Sequence, residues 1–327
     1  LANIMRTGLS AYPFLVNIYN SQELRKKIQK QLDYQPFDLI HAETFYVMPY
    51  LPPTKIPIVL VEQTINFQVF EHYLRNFKFP ILKPLMWVDV QKLKYWEIHY
   101  WKTASKVTAV SQADASVMHS LVPNLDVRII PNGVGEDFEE IPSTLHYNHS
   151  IVYMGNYKWL QNWEAAEVLA LQVFPLIQKA VPDAKLIIAG QFVTPNLKKL
   201  ASGDIEIREL AYGDARSVVR TIRSSGIMVA PIYGPGGTRL KILGAMAAML
   251  PVVTTTVASE GLSVKNEESI LVSDTPDEIA AAAVRVLQDK DLYAKIARNA
   301  KKIVSEKFTW EKISLKLEKV YAELVRN

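Results

Sequence analysis

Short apolar, β-branched runs alternate with longer helical patterns along the whole chain, and no other feature limits its fold so strongly. In the first half the runs are Phe37–Ala42, Ile56–Val61, Lys106–Val110 and Val127–Ile130. In the second half they are Ile151–Met154, Lys185–Ala189, Asp204–Arg208, Ile227–Pro231, Pro251–Thr255 and Ile270–Val272. Short runs with so little polar alternation suit strands covered on both faces. Helical patterns lie between them: Gln22–Leu32, Pro84–Thr103, Asp114–Leu121, Asn162–Ala180, Asp214–Ser224, Thr238–Met249, Pro276–Gln288, Asp291–Phe308 and Trp310–Val325. Alternation of this kind implies an α/β fold with doubly wound parallel sheets.

A chain of 327 residues fits two such domains. The turn signal Pro131-Asn132-Gly133 and the polar stretch after it place the hinge at 132–150. The reading is two tandem Rossmann-like domains, 1–140 and 141–308, followed by a terminal helix at 309–327. The first shows only four strands and lacks the strand and glycine loop that usually open such a domain, so it is expected to be missing its initial strands.

Composition removes several chemistries. There is no cysteine, which excludes disulfides, thiolate metal sites and cysteine nucleophiles. All six His lie before residue 150, so a mechanism needing an imidazole draws it from the first half of the chain or from a partner. Residues 1–140 hold 14 basic and 14 acidic side chains, so the net +4 belongs to the second half. That excess is too small to imply a nucleic-acid partner. No segment reaches the roughly 18 apolar residues of a membrane span, and the start lacks the pattern of a signal peptide. The expected location is cytoplasmic, with peripheral contact at the inner face of the membrane as an option.

The sharpest local motif is Pro231–Met249, PIYGPGGTRLKILGAMAAM. A buried strand runs into a Gly/Pro loop and then a helix. Gly236 and Gly237 admit close approach of a ligand to the backbone, and a helix N-terminus at Thr238 offers N–H groups and partial positive charge. Arg239 and Lys241 oppose the helix dipole unless an anion arrives. This conflict argues for a diphosphate site; the alternative is an ordinary strand-to-helix turn with solvated charges. Two residues apart, the cations do not share a helix face. A second loop, Asn156–Gln161, follows the strand that opens the second domain, at the sheet edge where α/β folds bind ligands. Lys158 is its best anion contact, and Asn162 reads as the cap of the next helix.

In the first domain, Tyr73–Lys106 holds seven Lys/Arg, two acids and eight aromatics. It reads either as a core-packed helix or as a segment touching anionic lipid; single-stranded nucleic acid is the weakest option. His41 and Glu43 end a strand, where a carboxylate can orient a hydroxyl. HExxH, GxGxxG and GxSxG patterns are all absent.

Taken in order, the segments FDLIHAET, PIVLVEQT, SKVTAVSQAD, VRIIPNGVGEDF, IVYMGNYKWLQNWEAA, AKLIIAG, VAPIYGPGGTRLKILGAMAAMLPVVTTTVASEGL and FTWEKISLKLEKVY resemble a GT-B-fold glycosyltransferase of the family-4 type. The resemblance covers most of the chain and corresponds to the C-terminal four-fifths of such an enzyme. It implies an acceptor-binding first domain, a nucleotide-sugar-binding second domain and a last helix returning to the first. The implied reaction is retaining transfer from an NDP-sugar to a polysaccharide or lipid-linked acceptor, without a metal or other cofactor. The implied diphosphate site is Gly236, Gly237, Thr238, Arg239 and Lys241, with Lys158 and Asn156. Glu62 and Gln63, at the end of VLVEQT, would face the transferred sugar. Glu260 and Gly261 of SEGL would take ribose or sugar hydroxyls. Departures accompany the likeness. Relatives usually carry two Glu eight apart, where this chain has Gly236 and Gly244, and Gln63 and Asn156 stand for a common His and Arg. A non-catalytic GT-B protein binding a sugar nucleotide or a partner chain is therefore the alternative reading.

Overall fold

A computed structural model describes residues 10–19, 21–77, 79–139, 144–236 and 239–325. The chain divides into two compact units. One runs to Pro131 and includes the last helix from Ser314; the other runs from Asn132 to Ile313, apart from Gly236–Thr238.

The first unit holds a four-stranded sheet in the order β1-β2-β3-β4. The strands are β1 Ile40–Glu43, β2 Ile58–Glu62, β3 Lys106–Ala109 and β4 Val127–Ile129. All neighbours are parallel, with Ala42 beside Leu60 and Leu60 beside Val107. Phe45, Leu60, Leu93, Trp101 and Met118 form its core. Lys106 and Arg128 both reach Glu323 of the last helix, at 2.8 Å.

The second unit holds a six-stranded parallel sheet in the order β10-β9-β8-β5-β6-β7. Its strands are β5 Ser150–Asn156, β6 Lys185–Gln191, β7 Ile205–Glu209, β8 Ile227–Ala230, β9 Val252–Thr254 and β10 Leu271–Val272. The winding runs from β5 out to β7, returns across β5 to β8, and continues to β10. The order therefore reverses between β5 and β8. In open parallel sheets the crevice outside the strand ends at such a reversal is where ligands bind.

Local chemistry explains most helix ends. Ser111 caps Gln112–Leu121, Asp214 caps Ala215–Arg223, and Thr275 with Glu278 forms a full capping box on Pro276–Gln288. Beyond a few helices of four or five residues, two helices differ from the sequence reading. The pattern Asn162–Ala180 forms Leu160–Val168, a π-turn at Leu169–Val173 and then Phe174–Ala180. Pro175 supplies the break, because it lacks an N–H and crowds the preceding turn. The helix Asn66–Arg75 was not anticipated, and its N-cap residue Ile65 makes no side-chain cap. Its cap comes from Glu97, whose carboxylate accepts from the backbone N–H of Asn66 (2.8 Å) and Phe67 (3.0 Å).

Among the described residues, no helix is long and apolar enough to cross a membrane.

Candidate diphosphate site

The two loops at the β5/β8 reversal carry the cations singled out in the sequence. The loop after β5 is held from within. Asn156 Oδ1 accepts the Lys158 N–H at 3.1 Å, and Trp159 N–H donates to the Asn156 carbonyl at 3.2 Å. Lys158 does not extend freely; its Nζ lies over the Phe192 ring, 3.6 Å from the centroid. Phe192 adopts a left-handed φ of 56° at the end of β6, which aims its ring toward this loop.

The loop after β8 leads to the helix Leu240–Ala247. Arg239 takes the N-cap position but makes no side-chain cap there. It is buried, and its Nη2 donates to the Gly234 carbonyl, closing the loop on itself. The Thr255 hydroxyl donates to the Ile232 carbonyl from the end of β9. Gly237 and Thr238 lie outside the described residues, and Gly236 has a left-handed φ of 136°, as a glycine in a tight loop can.

Lys241 turns away from Arg239, as their spacing requires. Its Nζ donates to Asn162 Oδ1 at 2.6 Å and to the Tyr153 hydroxyl at 3.2 Å, and lies 4.7 Å from the Tyr153 ring centroid. These partners are all neutral. Burial of the amino group, reinforced by the Arg239 charge, holds its pKa well below the ordinary lysine value. The residue as a whole keeps some exposed surface.

Asn162 corrects the sequence reading. The helix begins at Leu160, so Asn162 sits inside its first turn and Trp159 occupies the cap position. Its amide instead bridges the two loops. Nδ2 donates to the Asn156 carbonyl at 2.8 Å, while Oδ1 accepts from Lys241. Gly155 makes room for it, since a Cβ there would sit 3.0 Å from Asn162 Cβ. Asn162 and Tyr153, the partners of Lys241, are not apparent in this role from the sequence.

The remaining residues expected at a donor site are placed less tightly. Glu260 is exposed just beyond the short helix Thr256–Ser259, and Gly261 follows with a left-handed φ of 77°. At Gly244 the Phe138 ring fills the neighbouring space: a Cβ would meet its Cζ at 3.0 Å. The space beside this position is therefore occupied by an aromatic ring.

In the first unit the expectation for Glu62 is corrected. The side chain does not face outward; it is 1% exposed, and Trp101 Nε1 donates to its Oε1 at 3.1 Å. Burial, followed by the charge of Glu97, pushes its pKa well up; burial also lifts Glu97 to about 7. Gln63 points elsewhere and donates to Glu43 Oε1 at 2.5 Å. Glu43 Oε2 meets His41 Nε2 at 2.9 Å, and His41 Nδ1 meets the Tyr321 hydroxyl at 2.5 Å. The hydrogen bond to His41 lowers the Glu43 pKa. Gln63 thus belongs to an exposed polar cluster, and Glu62 to the core. Among the described residues, no group of three or more His, Asp or Glu is arranged to hold a metal ion.

Known proteins share both units. A family model described as Glycosyltransferase Family 4 matches residues 4–138, and one described as Glycosyl transferases group 1 matches residues 148–289. The N-acetyl-alpha-D-glucosaminyl L-malate synthase of Bacillus anthracis is 25% identical over 236 residues, which are 68% of this chain and 60% of that protein. The chain thus spans about 60% of the length of this curated relative. Among solved structures, sucrose-phosphate synthase from Thermosynechococcus elongatus has a TM-score of 0.71 at 17% identity, covering 94% of this chain and 80% of that one. TarM of S. aureus, in a complex with UDP and alpha-GlcNAc-glycerol, has a TM-score of 0.70 at 13% identity, covering 91% and 58%. With its two parallel sheets and two family models that together match residues 4–138 and 148–289, the chain belongs to the glycosyltransferases of the GT-B fold, family-4 type.

Proposed function

We propose that the protein transfers a sugar from an NDP-sugar to a polysaccharide or lipid-linked acceptor, with retention and without a metal. The observation that carries this reading is the pair of inward-held cations, Arg239 and Lys241, at the β5/β8 reversal, with neutral groups as the hydrogen-bond partners of Lys241. A diphosphate arriving there brings negative charge to the Lys241 amino group, whose hydrogen-bond partners are neutral. In the reaction, the acceptor oxygen forms the new bond to the anomeric carbon. The bond from that carbon to the diphosphate oxygen breaks, the electron pair leaves with the diphosphate, and the acceptor proton passes to a departing phosphate oxygen. The residues that matter most are those that stabilise the departing charge: Arg239, Lys241 and the N–H groups opening the helix Leu240–Ala247. The second unit is the donor-binding part and the first the acceptor-binding part. Peripheral contact of residues 73–106 with the cytoplasmic face of a membrane belongs to the same proposal.

Calorimetry with UDP, GDP and ADP tests the donor site. Arg239→Ala is expected to weaken binding of the preferred nucleotide by about 1.5–3 kcal/mol, the range for charge-assisted hydrogen bonds. Unchanged affinity removes Arg239 from the site.

Lys241 adds a proton signature. A bound diphosphate raises its depressed pKa, so the complex holds more protons than the free protein. Binding is expected to take up protons, and affinity to fall as pH rises through the free-state Lys241 pKa. Binding enthalpies in buffers of different ionisation enthalpy measure the uptake, which Lys241→Met should abolish. Buffer-independent enthalpies in the unaltered protein would sink this expectation.

Phe138 beside Gly244 favours one second reading, a GT-B protein that binds a sugar nucleotide or a partner chain without turnover. Tight nucleotide binding with neither transfer nor donor hydrolysis would select it.

A further inference from the structure

The hairpin formed by the helices Asn66–Arg75 and Lys83–Thr103 ends in a tip that is apolar and uncovered. Phe79, Ile81, Leu82, Leu85, Trp87 and Val88 are all exposed, with Ile81 at 88% and Phe79 at 64%. A contiguous apolar patch of this kind marks an interaction site on a folded protein. The tip is a built structure. Pro80–Leu82 forms a 3₁₀ turn, the Leu82 N–H donates to the Phe79 carbonyl at 3.2 Å, and Lys83 Nζ ties the second helix to the Arg75 carbonyl at 2.9 Å. The rings of Tyr73, Phe77 and Phe79 continue the patch, each neighbouring pair 5.8 Å apart.

Charge selects the occupant. Residues 73–88 contain three basic side chains, Arg75, Lys78 and Lys83, and no acid. The next carboxylate along the chain, Asp89, accepts the Phe14 N–H at 2.9 Å. A second copy of the chain would set these like charges against one another. A surface of negative charge over an apolar interior satisfies both features together, with aromatic rings suited to the boundary between them.

We infer that the tip 79–88 inserts into the interface of a bilayer containing anionic phospholipid, with Arg75 and Lys83 against the headgroups. The inference rests on the peripheral-membrane reading above and gives it a specific element and lipid class. Apolar side chains in this position bury to about 5–10 Å, and each basic residue contributes roughly fivefold in binding to an anionic surface.

The test is co-sedimentation of the 327-residue chain with vesicles of phosphatidylcholine alone, and of phosphatidylcholine with about one-third phosphatidylglycerol. At least tenfold tighter binding to the anionic vesicles is expected. The double variant Ile81→Asp/Leu85→Asp should reduce that binding at least tenfold with an unchanged thermal midpoint, because both side chains are already in water. If the unaltered chain binds neither vesicle, the peripheral-membrane reading falls and the tip assignment with it. If the chain binds anionic vesicles and the variant binds equally well, the membrane reading stands and the tip assignment is overturned. If ultracentrifugation shows a dimer that the variant abolishes, while vesicle binding is unaffected, the patch serves a second copy instead.

Discussion

Gly190→Ala is expected to destabilise the second unit by about 4 kcal/mol, from overpacking of about 1–3 kcal/mol and comparable backbone strain. Gly190 pairs with Gly155 across β5 and β6, and its φ of 151° lies where L side chains are rarely found. A Cβ built there would stand 1.8 Å from the Gly155 carbonyl oxygen, so the end of one strand must move. Gly155 leads directly into Asn156, whose carbonyl anchors Asn162, which in turn holds Lys241. The displacement therefore reaches the cation, and nucleotide affinity should fall together with stability. Gly203→Ala is the control: nothing lies within 4 Å of a Cβ at that position, and a change within about 0.5 kcal/mol is expected. Denaturant midpoints of the two variants measure the contrast. Equal midpoints would show that the strand ends tolerate the methyl group.

The coupling from Gly190 to Lys241 marks the limit of what the sequence reveals. The ten strands among the described residues were legible as short β-branched runs bounded by turns, and the central ones, such as β8, are buried on both faces as a parallel sheet requires. The Gly/Pro loop before Leu240 was legible from its composition and its clash of cations with a helix dipole. The partner of Lys241 was not. Asn162 looked like a cap because the helix was read as beginning there; it begins two residues earlier, and the amide is freed for a contact 79 positions away. Phe138 against Gly244 is hidden for the same reason: the glycine was visible as a departure from relatives, but the ring that fills its space comes from a distant helix. Glu97 left a fainter trace. It shares a helix face with Leu93 and Trp101, four residues to either side, and a carboxylate in an apolar stripe signals a buried acceptor. Its task, to cap the helix Asn66–Arg75, also explains why that helix could not be anticipated from a local cap.

The buried carboxyls of the first unit make stability depend on pH in the direction opposite to most acids. In the folded protein burial pushes Glu97 to about 7 and Glu62 well above its usual range. Between pH 4.5 and 7 the folded state therefore holds protons that the unfolded chain has released. The stability this contributes is complete below about pH 4.5 and is lost as pH rises through 7. For Glu97 alone the loss is of order 3 kcal/mol, at 1.36 kcal/mol per pKa unit. Glu62→Gln is expected to flatten the decline, because the amide mimics the protonated acid: it still accepts from Trp101, and it removes the charge that Glu97 opposes. At pH 8 the variant should be more stable than the parent, and at pH 5 nearly equal to it. Glu97→Gln should behave differently. Both Glu97 oxygens accept backbone N–H groups, an amide offers only one acceptor, and the variant should lose stability at every pH. Urea midpoints from pH 5 to 8 separate the two. A Glu62→Gln curve parallel to that of the parent would mean that Glu62 is not held in its protonated form, and that its contact with Trp101 has the same strength in both charge states.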